Sequence, residues 1–115
     1  MRDINSVEIS GNLTADPVAK EIQNSDSIMT QCVVASHRYL TDVSGEKKVL
    51  TNFVRCVIFN SLGQKFLQFA HKGDKVLVKG RLDCHVNESG LTSYSVIVEN
   101  FDILRFATTS PKIEE

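Results

Sequence analysis

Residues 49–86 read VLTNFVRCVIF, then NSLGQKFLQFAHKG, then DKVLVKGRLDCHV, and the three pieces follow different periods. In the first, a period-2 repeat puts Phe53, Arg55, Val57 and Phe59 on one side and Val54, Cys56 and Ile58 on the other, which predicts a strand apolar on both faces. In the second, Leu62, Phe66, Phe69 and Ala70 take the i, i+4, i+7, i+8 spacing of an amphipathic helix. Asn60 or Ser61 is the expected N-cap and Gly73 the expected end. Period 2 then returns from Lys75 to Val86, with Val76, Val78, Leu82, Cys84 and Val86 expected to point inward.

Working outward, Ile4 to Leu13 alternates with Val7, Ile9, Gly11 and Leu13 on one side, the pattern of a half-buried strand. Asp16-Pro17 breaks it, because proline cannot donate to a ladder, and Val18 to Ile22 continues it after the bend. Beyond the turn at Asn24–Ser27, Ile28 to Tyr39 is a second strand rich in β-formers. Thr41 to Lys48 reads as a flexible hairpin loop into the third strand, Val49 to Phe59. Asn87-Glu88-Ser89-Gly90 is a hairpin turn before a fifth strand, Leu91 to Leu104. An all-β chain of five strands, with one helix between the third and the fourth, has the order of an OB-fold, a Greek-key barrel that can bind oligonucleotides. Gly11 and Gly80 fall mid-strand, where such a barrel must bend. The expected division is one domain over residues 1–106 and a short, disordered tail over 107–115.

Composition narrows the function. At 115 residues and 42% hydrophobic, the chain builds one modest core and excludes two independent domains. No apolar run approaches the ~20 residues of a bilayer span, and the first residues lack the apolar stretch of a signal peptide. Cys32, Cys56 and Cys84 are odd in number and far apart, which fits reduced thiols in a cytoplasmic compartment. Net charge is only −1, yet residues 38–81 hold nine basic side chains against three acidic ones, and both flanks are acidic. Lysine-rich solvated loops and an anion-binding face explain that polarisation equally well, so a second signal must decide.

Aromatic placement is that signal. With Val54, Cys56 and Ile58 assigned to the interior, Phe53, Arg55 and Phe59 remain for the outer face, and Tyr39 near the end of the second strand can join them. Rings beside cations on a sheet suit a single-stranded nucleic acid, because bases stack on the rings and phosphates pair with the cations. Phe59, at a strand end, has a competing reading in which it packs under the helix. Arg38, Lys47, Lys48, Lys79 and Arg81 complete the proposed DNA-binding set with Arg55. Phe66 and Phe69 are expected in the core, and Phe101 and Phe106 in packing or an interface. His37, His71 and His85 lack companions at metal-ligand spacing, and no phosphate-cradling loop or nucleophile elbow occurs. Neither a metal, a cofactor nor an enzymatic activity is expected.

These residues bear a family likeness. NSVEISGNLTADP at 5–17 resembles the opening strand and turn of bacterial single-stranded DNA-binding proteins. TNFVRCVIF at 51–59, the helix, and KGDKVLVKGRL at 72–82 resemble that family's third strand, helix and fourth strand, so that the likeness covers about residues 5–104. It implies an OB barrel, usually a homotetramer that wraps single-stranded DNA, with base stacking at the positions of Tyr39, Phe53 and Phe59. It also implies homo-oligomers (a tetramer before a dimer), replication and repair proteins as partners, a nucleoid-associated location, and no membrane. After Leu82 the family commonly has a basic run and another Trp, whereas this chain has Asp83-Cys84-His85-Val86-Asn87 and no Trp anywhere. That departure is similar to primosomal replication protein N, which implies the alternative of a restart factor acting mainly as a protein-interaction module.

Overall fold

The computed structural model describes residues 2–107. Its elements are β1 (Val7–Leu13), β2 (Val18–Glu21), β3 (Ile28–Thr41), β4 (Lys47–Phe59), α1 (Asn60–Phe69), β5 (Lys75–Val86) and β6 (Thr92–Arg105). β2 lies beyond the Asp16-Pro17 bend, so β1 and β2 act as one interrupted strand and the barrel counts five. The lateral order is β1-β5-β6-β4-β3-β2, and β1 closes the ring by pairing Asn12 with Ala35 and Leu13 with Val34 on β3. All ladders are antiparallel except that of β4 with β6, which is parallel and only two residue pairs long. This is the expected OB-fold.

Alternation fills the interior: Leu13, Cys32, Val34, Cys56, Ile58, Val76, Val78, Val96 and Val98 form one buried cluster, plugged by Phe66 of α1 and Ala70 at its C-cap. Phe66 is fully buried and meets Phe101 edge to face at 4.8 Å. Burying such a side chain contributes about 1.5–3 kcal/mol. Mid-strand glycines permit the tight curvature, since a Cβ on Gly11 would collide with the Ala35 carbonyl and one on Gly80 with the Ile97 carbonyl. The β5–β6 register also slips between Lys79 and Gly80, the bulge that bends the strand. Asp74, buried at the entry to β5, accepts the His71 N–H at 2.9 Å and the Ala107 N–H at 2.8 Å, tying the end of the described chain to the loop after α1.

Several expectations are corrected here. The ladder of β1 begins at Val7, not Ile4, although the Asn5 amide both donates to the Leu82 carbonyl and accepts the Leu82 N–H at 2.8 Å. Neither Asn60 nor Ser61 caps α1: Phe59 occupies the N-cap position, and the Asn60 side chain instead accepts the Ile28 N–H across the sheet. The helix stops at Phe69, well before Gly73, and Ala70 caps it by donating to the Phe66 carbonyl. Phe69 is exposed, because the helix stripe narrows to Leu62, Phe66 and Ala70 where it sits on the barrel. Leu82, Cys84 and Val86 also face solvent, since β5 runs on past the barrel into a projecting hairpin with nothing over it. Strands β3 and β4 reach to Thr41 and Lys47, so the loop between them is shorter than read. Residues 108–115 of the expected tail lie outside the described residues.

Candidate nucleic-acid interface

Register on the β3–β4 hairpin decides which side chains share a face. Residues paired directly across an antiparallel ladder point the same way, and successive pairs alternate. The pairs Met29–Phe59, Gln31–Val57, Val33–Arg55, Ala35–Phe53, His37–Thr51, Tyr39–Val49 and Thr41–Lys47 therefore line the outer face. Between them, Thr30–Ile58, Cys32–Cys56 and Val34–Val54 face the interior, where Cys56 and Ile58 are fully buried. A one-residue slip would exchange these sets, and the cost of exposing that core pins the register.

On the outer face Tyr39 is 76% exposed, Phe53 69% and Phe59 38%, with Arg55 between the two phenylalanines. Phe59 is not covered by the helix; it stands beside Met29 at the strand end, half open. At about 3.4 Å per residue the three rings spread over roughly 13 Å from Tyr39 to Phe53 and 20 Å from Phe53 to Phe59. Neighbouring stacked bases lie much closer than that, so each ring meets a different part of a bound strand. His37 and Thr51 join across the ladder at 2.9 Å between Nδ1 and Oγ1, stiffening the platform between Tyr39 and Phe53.

The cations divide. Lys47 shares the outer face with Tyr39 and Arg55, whereas the pleat sends Arg38 and Lys48 to the reverse face of the hairpin, opposite Leu50 and Leu40. Lys48 lies 4.0 Å from Asp42 across the turn. Lys79 and Arg81 belong to the outer side of β5, between β1 and β6, and each meets a carboxylate: Lys79 with Glu8 at 3.1 Å and Arg81 with Glu99 at 3.9 Å. The structure thus brings Tyr39, Phe53, Phe59, Arg55 and Lys47 together and leaves Lys79 and Arg81 apart, because β5 and β4 are not neighbours in the barrel. Closeness in sequence to a basic segment said nothing about that.

Two grooves flank this face and share Arg55. One, of about 440 Å³, lies between the β1–β2 bend and β3, with Thr14, Asp16, Lys20 and Gln31 on its rim. Asp16 fixes the bend by accepting the Lys72 N–H at 2.7 Å. The other, of about 360 Å³, lies between β4 and the β5–β6 hairpin and is lined in part by Phe53, Leu82 and Tyr94. Sequence reasoning did not single out Lys20 or Tyr94. Tyr94 keeps step with Val96 and Val98 and so resembles a core position, and only its nearness to the hairpin turn, two residues before Val96, hints otherwise.

The model of the Single-strand binding protein family matches residues 4–104. A single-stranded DNA-binding protein of Lactiplantibacillus plantarum is 31% identical over 113 residues, covering 95% of this chain and 55% of that protein. One from Enterococcus faecalis is 29% identical, with 93% and 57% covered. The chain therefore spans little more than half the length of these relatives. Among solved structures, a deletion mutant of the single-stranded DNA binding protein from Thermus aquaticus superposes with a TM-score of 0.78 at 22% identity, over 89% of this chain and 51% of that one. The Plasmodium falciparum protein in complex with single-stranded DNA gives 0.75 at 20% identity, over 92% and 97%. Both likenesses establish the barrel.

Proposed function

This chain belongs to the single-strand binding protein family, and on that premise we propose that it binds single-stranded DNA without regard to base sequence along the outer face of β3 and β4. The observation that carries the reading is the exposure of Tyr39, Phe53 and Phe59 on one sheet face with Arg55 among them. Tyr39 and Phe53 stack on bases, Phe59 closes the far end, and Arg55 and Lys47 pair with phosphates. Arg38 and Lys48, on the reverse of the same hairpin, serve a strand that wraps its edge. Lys79 and Arg81 contribute less, since a phosphate must first displace Glu8 or Glu99. The role is binding and protection of exposed strands in replication, recombination and repair, with no catalysis, in the cytoplasm at the nucleoid. The family match does not favour the restart-factor alternative.

The test is titration of a poly-dT oligonucleotide at two salt concentrations. Each phosphate neutralised on a single strand adds about −0.7 to the slope of log K against log salt, so the slope is clearly negative. Phe53→Ala and Tyr39→Ala each weaken binding by about 1–3 kcal/mol with the slope nearly unchanged, because a ring is lost and no charge. Equal affinity for duplex and single strand, or indifference to both substitutions, overturns the reading.

The protein works as a homo-oligomer, with a tetramer favoured over a dimer. Ile4, Leu104 and Phe106 leave apolar surface open around the first and last strands, more than a lone barrel of this size should expose. Sedimentation should give a multiple of the chain mass, and the mass of one chain across a wide concentration range refutes this.

A further inference from the structure

Among the described residues three cysteines are free, and two of them stand directly opposite each other. Cys32 on β3 and Cys56 on β4 are ladder partners whose side chains both turn into the barrel, 7% and 0% exposed. Opposed residues on antiparallel strands have Cα atoms about 4.5 or 5.5 Å apart, according to whether the pair exchanges hydrogen bonds. Both spacings fall within the roughly 4.4–6.8 Å that a disulfide spans. The two sulfurs already share a hydrogen bond. No step of single-strand binding uses either of them, and the next inward pair, Val34–Val54, shows that packing alone asks only for apolar side chains there.

We propose that Cys32 and Cys56 form a dithiol that a hydroperoxide closes to an intrachain disulfide, a reversible brace between β3 and β4 at the root of their hairpin. Cys32 borders the 440 Å³ groove between the β1–β2 bend and β3, which is wide enough to admit so small a molecule. The hydrogen bond from Cys32 holds the Cys56 thiol below its ordinary value against the effect of burial, so Cys56 is the member of the pair that ionises first. Its thiolate attacks one peroxide oxygen; the O–O bond breaks, and the other oxygen takes up a proton and leaves as water or an alcohol. The Cys32 sulfur then attacks the Cys56 sulfenic acid, its proton goes to the departing hydroxide, and an S–S bond replaces the S–O bond as water leaves. The two thiols lose one electron each and the peroxide gains both. Only the first step needs an outside molecule, because the resolving thiol is already in place. Cβ atoms of opposed residues lie about 4.5–5.5 Å apart, wider than the roughly 3.5–4.5 Å of a relaxed disulfide, so the bond draws the strands together and is easily reduced. In a reducing compartment it is therefore transient, and thiol exchange releases the brace. This chemistry is independent of what the outer face binds.

The test treats the folded chain with hydrogen peroxide at low protein concentration, blocks the remaining thiols by alkylation, and maps an unreduced digest by mass spectrometry. Three cysteines allow three intrachain pairings. The expected product joins Cys32 to Cys56 and no other pair, and dithiothreitol removes it. Cys84→Ser deletes the exposed thiol and keeps both members of the pair, so its intact mass should fall by two hydrogens. Its melting midpoint should rise by several degrees, since a cross-link between positions more than 20 residues apart restricts the unfolded chain. Neither measurement substitutes a core residue, so misfolding cannot imitate either result. Joined peptides containing Cys84 in place of that product, sulfinic acid at Cys32 or Cys56 without a cross-link, or a cross-link that forms only in urea overturns the proposal. An unchanged or lower midpoint in fully cross-linked Cys84→Ser overturns the brace.

Discussion

Two hairpins project from the barrel on the same turn, and what they carry differs. In Asp42-Val43-Ser44-Gly45-Glu46, one Asp42 carboxylate oxygen accepts the Ser44 N–H at 2.9 Å, the Ser44 hydroxyl at 2.6 Å and the Glu46 N–H at 2.9 Å. In Asn87-Glu88-Ser89-Gly90-Leu91, the Asn87 amide oxygen accepts the corresponding three groups at 3.0, 2.8 and 3.0 Å. Gly45 and Gly90 both stand at φ +86°, a conformation that favours glycine. Local chemistry thus builds one turn twice. The β3–β4 hairpin bears Arg38, Lys47 and Lys48 beside Tyr39, whereas from Leu82 to Ser95 the other bears Asp83 and Glu88 and neither Lys nor Arg. The first carries cations and an exposed ring; the second carries acidic side chains among exposed apolar and aromatic ones. A shared scaffold therefore implies no shared duty.

The largest difference should appear in thiol chemistry. Cys84 lies exposed on the shaft of the β5–β6 hairpin, while Cys32 and Cys56 face each other inside the barrel at the root of β3–β4. Its hydrogen bond with Cys56, reinforced by burial, pushes the Cys32 thiol far above its usual range, so the nucleophilic thiolate is scarce there. One thiol per chain should react quickly with an alkylating reagent. The other two should lag by a factor on the order of 10³ or more, because reaching them requires opening the barrel. Mass spectrometry of timed samples checks this, and similar rates at all three sites would mean that the barrel root opens as readily as the projecting hairpin.

Charge comes next. Lys47→Ala should reduce the salt slope by about 0.7 if it holds one phosphate, with a modest loss of affinity. Asp83→Asn, on the opposite hairpin, should leave the slope where it was. A change at Asp83 as large as that at Lys47 would erase the division of labour.

The smallest effect separates the two turns themselves. The Ser44 hydroxyl, with help from the Glu46 N–H, holds the Asp42 carboxyl below the usual carboxylate range. A depressed folded-state value stabilises the turn above the ordinary pKa of about 3.9, and that contribution fades as pH falls through the lower, folded value. Amide resonances of Ser44 and Glu46 should accordingly move on acidification below about pH 4, while those of Ser89 and Leu91, held by a neutral amide, should not. In Asp42→Asn the two turns should respond alike.

Much of this was legible in the residues. Alternation along 49–59 named the outward Phe53 and Arg55 and the inward Cys56 and Ile58, because a period of two leaves only two assignments and one of them exposes the core. The helix between the third and fourth strands was equally plain from Leu62, Phe66 and Ala70. Leu82, Cys84, Val86 and Phe69 were misjudged for one reason: an apolar residue in step with a buried neighbour reads as buried, and where the covering element ends is not written in the pattern.

Turn chemistry, periodicity and strand order are short-range matters, settled by hydrogen bonds within five residues and by which side of a strand a methyl group occupies. They suffice for the barrel and for the aromatic face. Barrel closure decided the rest, since it brings together residues far apart in the chain. It set Lys79 against Glu8 and Arg81 against Glu99, two strands away from the platform they were expected to join. It also ended the β4–β6 ladder after two pairs, and so placed Tyr94 across a groove from Phe53, more than 40 residues earlier in the chain.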